Sequence, residues 1–329
     1  MSPDRCEPRD RREHPMSTAD VETRPPATQK AAPDQLPKRS EAGAAWLFIA
    51  PFGIFFVLFL IWPVIYMFVT SLFDTTLVRS GFGDFIGFGN YAEMMSRADF
   101  WEAMWHTIQF TLYTVPPLVV LAFVFAVLAN RVLHGQWFFR LAFFVPFILP
   151  SAAIALIWNF IYTPTTGLWN SFQTLLGVES PDPVLGTPDL AMVGIAITTV
   201  WWTIGFNFVL YLAGLQDIPR ELYEAAAVDG ASPWQQIRWI TIPMLSRTTT
   251  LVVLLQIIAS LKIFDQVYLM TAGGPGTSTQ VVLGLVTNTA FTDYRVGAAS
   301  AASVLLFLVI LLVTVIRQLV GRAQERGER

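Results

Sequence analysis

Six apolar stretches alternate with polar ones along the 329 residues, at roughly 45–73, 107–129, 141–162, 190–215, 248–270 and 296–320. At 1.5 Å per helical residue, each is long enough to cross about 30 Å of hydrocarbon. The pattern therefore predicts an all-α membrane protein of six transmembrane helices, with a permease domain over residues 44–320. Prolines 51, 63, 116, 117, 146 and 150 fall inside these spans or near their ends. Membrane helices tolerate them where neighbours or water satisfy the freed carbonyls. One polar interval stands apart, LQDIPRELYEAAAVDGASPWQQIRWITIPML at 215–245. Asp217 can cap a first helix, with Pro219 in its opening turn. That helix carries Arg220, Glu221, Glu224 and the alanines 225–227, and Asp229-Gly230 ends it. Ser232, Pro233 and Gln235 form a capping-box pattern that starts a second helix. The interval reads as a helix–turn–helix with a smooth, small-residue face. Residues 1–43 show no apolar periodicity and read as a disordered tail, and 321–329 as a short polar C-terminal tail.

Composition supports the membrane assignment. Hydrophobic residues make up 54% of the chain and charged residues 14%, against about 25% charged in a soluble domain. The single cysteine, Cys6, excludes an intramolecular disulfide. His14, His106 and His134 are scattered, which argues against a metal centre or a histidine-based catalyst. The net charge of −3 says less than the distribution of charge. With the N-terminus inside, the inner segments hold 17 Lys and Arg; the outer loops hold only Arg79, Arg97 and Arg295. The positive-inside rule thus places both termini, and the 215–245 interval, in the cytoplasm. The outer loop at 74–106 mixes aromatics with acids, those at 163–189 and 272–295 carry turn signals, and all three could be plain connections or contact an external partner.

Polar side chains within spans are costly and mark function by default. The third span offers Trp158 and Asn159, and the fourth Trp201, Trp202, Asn207 and Tyr211. The fifth offers Gln256, Ser260, Lys262, Asp265 and Gln266. Gln256 and Ser260 are four apart and share a helical face, and Lys262 and Asp265 are spaced to neutralise each other. Aromatic rings beside amides and hydroxyls suit sugars, which present apolar ring faces and many hydroxyls. The blander reading makes Trp158 and Tyr162 belt residues and Lys262–Asp265 a structural pair or gate. No G-x-S-x-G, H-E-x-x-H or paired intramembrane aspartates indicate an intramembrane enzyme. A stand-alone secondary transporter is the alternative, but it usually shows internal repeats, and none is convincing here.

With 215–245 in the cytoplasm, the chain resembles the membrane-spanning permease subunit of bacterial ABC importers of the carbohydrate-uptake type. The resemblance rests on Glu224-Ala225-Ala226, the following Asp229-Gly230-Ala231, and the closing Ile240-Thr241-Ile242-Pro243. Phe143-Phe144-Val145-Pro146 with Pro150 and Trp158, then Gly167-Leu168-Trp169-Asn170, agree with it. So do Leu261-Lys262-Ile263-Phe264-Asp265 and Thr271-Ala272-Gly273-Gly274-Pro275. The match covers roughly 46–320, without the large external insertion of the maltose-type subunit. The resemblance implies a type I importer fold with a cytoplasmic coupling helix. It also implies a second permease subunit as heterodimer partner, two copies of an ABC ATPase, and an external solute-binding protein, with no role for nucleic acid. Glu221, Glu224, Ala225, Ala226, Asp229, Gly230 and Pro243 become ATPase-coupling candidates. Trp202, Asn207, Tyr211, Gln256, Ser260, Lys262 and Asp265 become substrate-path candidates. No G-x-x-x-x-G-K-[ST] loop occurs, so ATP and Mg2+ are expected on the partner ATPase and no cofactor on this chain. The expected solute is a disaccharide or oligosaccharide such as trehalose or a maltodextrin, or glycerol 3-phosphate.

Overall fold

The computed structural model describes residues 41–79, 81–131, 136–178 and 182–327. Most of the expected N-terminal tail, with Cys6 and His14, lies outside them, as does His134. Two compact units are distinguished, Met1–Phe55 and Phe56–Arg329. The first contributes most of helix α1 (Glu41–Phe56), which contains Pro51. A π-helical turn, Val57–Ile61, leads into α2 (Trp62–Thr70). Proline at 63 lacks an N–H and its ring presses on the carbonyl four residues back, and a π-turn is how the ladder widens to accept it. The rest of the second unit follows as helices, with one isolated bridge, Phe73 to Phe85, among the described residues.

After a short helix α3 (Gly89–Ser96), α4 (Ala98–Arg131) passes through Pro116 and Pro117 without breaking. Its threonines 107, 111 and 114 turn their hydroxyls onto carbonyls four residues back, which hides polar groups within the helix. The third span is not one helix. It is α5 (Gln136–Ile148) and α6 (Ser151–Ile161), bent by 97°. Pro150 disfavours helix at Leu149 and is itself extended, at φ −65° and ψ 148°. The indole of Trp202 donates to the carbonyl of Leu149 at 3.1 Å, which satisfies a group freed by the break. A peripheral helix α7 (Leu168–Leu175) precedes α8 (Pro188–Gln216), the long central helix.

Next come α9 (Arg220–Val228) and α10 (Pro233–Gln236), then a second π-turn, Ile237–Thr241, and α11 (Ile242–Met244). Proline again follows the π-turn, at 243. The chain then bends by 64° into α12 (Ser246–Leu261). The expected fifth span to residue 270 is too long. Lys262 caps α12, Ile263 and Phe264 leave the helix, and α13 (Asp265–Met270) is a separate short helix. The segment before the last helix closes with α14 (Val282–Thr287) and a third π-turn, Asn288–Thr292. The last helix, α15 (Val296–Gly327), runs on to 327 through the polar segment expected after 320. Among the described residues, four helices are long and apolar enough to cross a membrane, and the count is six when each bent pair is taken as one span.

The core of the second unit sits between α4, α8 and α12. Alanines 122, 126 and 129 of α4 meet Phe208, Tyr211 and Leu212 of α8 and Val252 of α12. Small residues let helices approach where lipid is as apolar as any side chain. Trp101, Trp105 and Leu112 of α4 and Leu308, Leu311 and Leu312 of α15 stay exposed, as surfaces facing lipid or another subunit do. At Gly205 the backbones of α8 and α5 touch. A methyl group there would sit 1.9 Å from the carbonyl oxygen of Phe143. Gly205→Ala is expected to cost about 1–3 kcal/mol, as other overpacked interiors do, read as a lower melting temperature in detergent. Beside α3, Arg295 grips Glu93 with both guanidinium nitrogens. That bond to Arg295 holds the Glu93 carboxyl below its ordinary pKa. A depressed carboxylate contributes stability that is full above its unfolded pKa and lost as pH falls through the folded value. Wild-type protein is thus expected to lose its stability margin over Glu93→Gln below about pH 4, in paired thermal melts from pH 3 to 7.

Candidate functional site: the α9 loop and a polar cavity

Two features bear on function. The first is the loop around α9. Asp217 does not cap this helix. It is the residue that follows and caps the C-terminal end of α8, and Pro219 occupies the cap position of α9 without a side-chain bond. The long α8 runs on to Gln216, so the turn lies at Asp217–Ile218, with Ile218 buried as the anchor. The second start signal does form a capping box. The Ser232 hydroxyl accepts from the Gln235 amide at 3.4 Å, and the Ser232 amide donates to the Gln235 side chain at 2.7 Å. The α-helix it starts is only one turn long before the π-turn takes over. Gly230 has φ +80°, a left-handed conformation that glycine adopts at little cost. The chain folds back there. The amides of Asp229, Gly230 and Ala231 bond to the carbonyls of Ala225, Ala227 and Ala226, so the helix end is satisfied.

The helix presents one face outward. Glu221, Glu224, Ala225 and Val228 are exposed at helical spacing i, i+3, i+4 and i+7, with Val228 89% exposed. Ala226 is half-buried on the other side with Tyr223. The Tyr223 hydroxyl and the Thr241 hydroxyl share a hydrogen bond of 2.9 Å, which ties α9 to the π-turn before α12. Tyr223 also packs on the core of α4, α8 and α12. Asp229, Gly230 and Pro243 are exposed. Trp234 and Trp239 are about 70% exposed, and the Arg238 guanidinium lies 5.5 Å from the Trp239 ring. Sequence reasoning passed over Val228 and the exposed tryptophans. Apolar residues inside a polar loop were the available signal.

The second feature is a polar cavity of about 200 Å³ between α4, α8 and α12–α13. Five of the seven path candidates line it: Trp202, Gln256, Ser260, Lys262 and Asp265. Asn207 is fully buried beside it, and its side-chain oxygen accepts from Gln256 Nε2 at 3.0 Å. Tyr211 is elsewhere, fully buried in the core with its ring edge-on to Phe123 at 5.8 Å. Thr114, Thr199, Thr203 and Gln266 line the cavity as well. Lys262 and Asp265 form no ion pair among the described residues. The helix break between them turns their spacing away from the helical register, and Asp265 instead accepts from the Ser151 hydroxyl at 3.0 Å. Asn159 donates to the carbonyl of Leu269 at 3.1 Å, so α6 holds α13 by two side chains. The cavity thus combines one ammonium, one carboxylate, a half-ring of hydroxyls and amides, and the faces of Trp202 and Phe264.

Residues 85–327 match the family described as binding-protein-dependent transport system inner membrane component. Among curated proteins, the chain is 36% identical over 287 residues to the trehalose/maltose transport system permease protein MalF of Thermococcus litoralis. That alignment covers 87% of this chain and 96% of the relative. It is 35% identical to the sulfoquinovosyl glycerol transport system permease protein SmoG of Agrobacterium fabrum, over 83% of this chain and 88% of that one. A solved bacterial ABC transporter involved in alginate import superposes with a TM-score of 0.74 at 22% identity, covering 86% and 97% of the two chains. That likeness shows that the two chains share a fold. With its bent spans, its α9 loop and its polar cavity, the chain belongs to the family of binding-protein-dependent transport system inner membrane components, the permease subunits of ABC importers.

Proposed function

We propose that this chain forms half of the translocation path for a sugar, a disaccharide or oligosaccharide of the trehalose or maltodextrin type. A second permease subunit completes the path, two copies of an ABC ATPase drive it, and an external solute-binding protein delivers the solute. The observation that carries the reading is the cavity. Its charges sum to zero, its walls offer rings for sugar faces, and its amides and hydroxyls offer partners for sugar hydroxyls. A phosphorylated solute such as glycerol 3-phosphate would find one cation offset by one carboxylate, which disfavours it. Relatives named for trehalose/maltose and for starch degradation products support a carbohydrate, while others named for sn-glycerol 3-phosphate make that solute the competitor to test. Both termini and α9 lie in the cytoplasm on this reading, which rests on the Lys and Arg bias. Glu221, Glu224, Ala225 and Val228 form the face offered to the ATPase. Ala226 and Tyr223 brace it from behind, and Gly230 turns the chain back. ATP and Mg2+ stay on the ATPase, and this chain is a conduit and not an enzyme.

The test is reconstitution in liposomes with the partner subunits and the binding protein. Uptake of labelled trehalose or maltotriose is expected only with ATP inside and binding protein outside. Uptake by this chain alone, without ATP, would make it a secondary transporter. Uptake of glycerol 3-phosphate in preference to either sugar would overturn the solute assignment.

A further inference from the structure

A second cavity, of about 410 Å³, lies at the end of the bundle opposite α9. Its walls are the end of α6, the peripheral helix α7 and the start of α8. Most of the lining is apolar, including Ile161, Leu168, Phe172, Val193 and Ile197. Among the lining residues with polar groups, the Tyr162 hydroxyl donates to the Gly194 carbonyl at 3.2 Å, but Trp158 and Gln173 stand apart. The indole nitrogen of Trp158 and the side-chain oxygen of Gln173 are both sealed from solvent, and neither has a hydrogen-bond partner. A buried orphan donor and a buried orphan acceptor each carry a desolvation cost. A single occupant that accepts from one and donates to the other removes both costs. The Trp158 ring is held in place by Tyr162 at 5.2 Å and Trp201 at 5.6 Å, so its N–H is not free to seek water.

The surroundings identify the occupant. Leu168, Phe172, Leu175 and Leu176 are exposed, so α7 offers apolar surface where the spans leave the membrane. Residues 163–189 contain no Lys or Arg, while Asp182 and Asp189 stand exposed at the rim, next to lining residues. An anionic head group would meet carboxylates with nothing to neutralise them, whereas an ammonium is attracted. We propose that this cavity binds a phospholipid with a primary ammonium head group, of the phosphatidylethanolamine kind. The Trp158 N–H donates to an acyl ester carbonyl, the Gln173 oxygen accepts from the ammonium, and the upper acyl chain lies along Ile161, Val193 and Ile197. A pocket of this size and polarity is in the ordinary range for small-ligand sites. The proposal stands apart from the solute cavity and does not depend on the sugar assignment.

Native mass spectrometry of the full-length chain, in the complex with which it purifies, tests it. Delipidated protein is titrated with dioleoyl phosphatidylethanolamine, phosphatidylcholine and phosphatidylglycerol in parallel. One phosphatidylethanolamine per copy of this chain is expected, bound about tenfold more tightly than phosphatidylglycerol. Phosphatidylcholine keeps the positive charge but has no N–H, so its binding is expected to be weaker than that of phosphatidylethanolamine. Gln173→Leu should remove that difference, and Trp158→Phe should weaken all three lipids alike. Gln173→Leu lies on a peripheral helix, and an unchanged melting temperature separates lost binding from lost folding. Equal binding of all three lipids by the wild type, or wild-type binding in the Trp158→Phe/Gln173→Leu double variant, would overturn the proposal.

Discussion

Glu224→Ala is expected to abolish ATP-driven uptake while leaving the chain folded and inserted. Glu224 lies on the exposed face of α9 and makes no ion pair among the described residues, so its removal costs the isolated chain nothing of note. On the proposed docking to the ATPase, the carboxylate becomes buried and hydrogen-bonded in a basic groove. Truncating one partner of such a contact costs roughly 2–5 kcal/mol, about 30-fold or more in affinity. Co-purification of the ATPase should fall accordingly, and stimulation of ATP hydrolysis by loaded binding protein should vanish. Gly230→Ala acts differently. It forces a side chain into φ +80° at about 1–2 kcal/mol and misdirects the helix without removing a contact. If Glu224→Ala retains both its ATPase and its uptake, α9 is not the docking element.

The second large effect is at the Asn207–Gln256 pair. Gln256→Leu leaves the Asn207 oxygen buried without a donor, which costs about 1–3 kcal/mol. The melting temperature should drop, and uptake should fail because the cavity wall loses an amide. Interhelical hydrogen bonds in membranes average only about 0.6 kcal/mol, so most of the lost stability comes from the orphaned oxygen. Asn207→Leu/Gln256→Leu removes that orphan. The double variant is therefore expected to recover stability and remain inactive. Normal uptake by the double variant would show that the pair is scaffold alone, with no part in the path.

What could be read from the sequence follows from the range of the interactions involved. The capping box at Ser232–Gln235 and the left-handed glycine at 230 are local, and the chain spells them out within four residues. The six spans are nearly as legible, because burial in lipid needs only length and apolarity. The breaks were harder. Pro116-Pro117 lies within an intact helix, while Pro150 ends one with a 97° bend. The difference lies in what receives the freed carbonyls, and Trp202 is 53 residues from the one it satisfies. Lys262 and Asp265 look paired on a helical wheel, yet the helix stops between them because Ser151 and Asn159 of α6 hold α13 in its own place. Tyr211 reads as a path residue by type, but α8 turns it toward Phe123. The orphan atoms of Trp158 and Gln173 could not be foreseen, since an unmet hydrogen bond exists only once every neighbour is placed.

The π-turn at Ile237–Thr241 has a consequence for tolerated sequence change. It holds one residue more than an α-helical turn would, and each residue corresponds to about 100° of rotation. Upstream, Tyr223 is pinned to Thr241; downstream, Gln256 must point at Asn207. The extra residue keeps those two fixed points in phase. Exposed Arg238 and Trp239 should accept many side chains, but deletion of either would swing Gln256 away from its partner and carry the cavity wall with it. Through this segment, the number of residues is expected to matter more than their identity, which paired deletion and substitution variants at 238 and 239 would show.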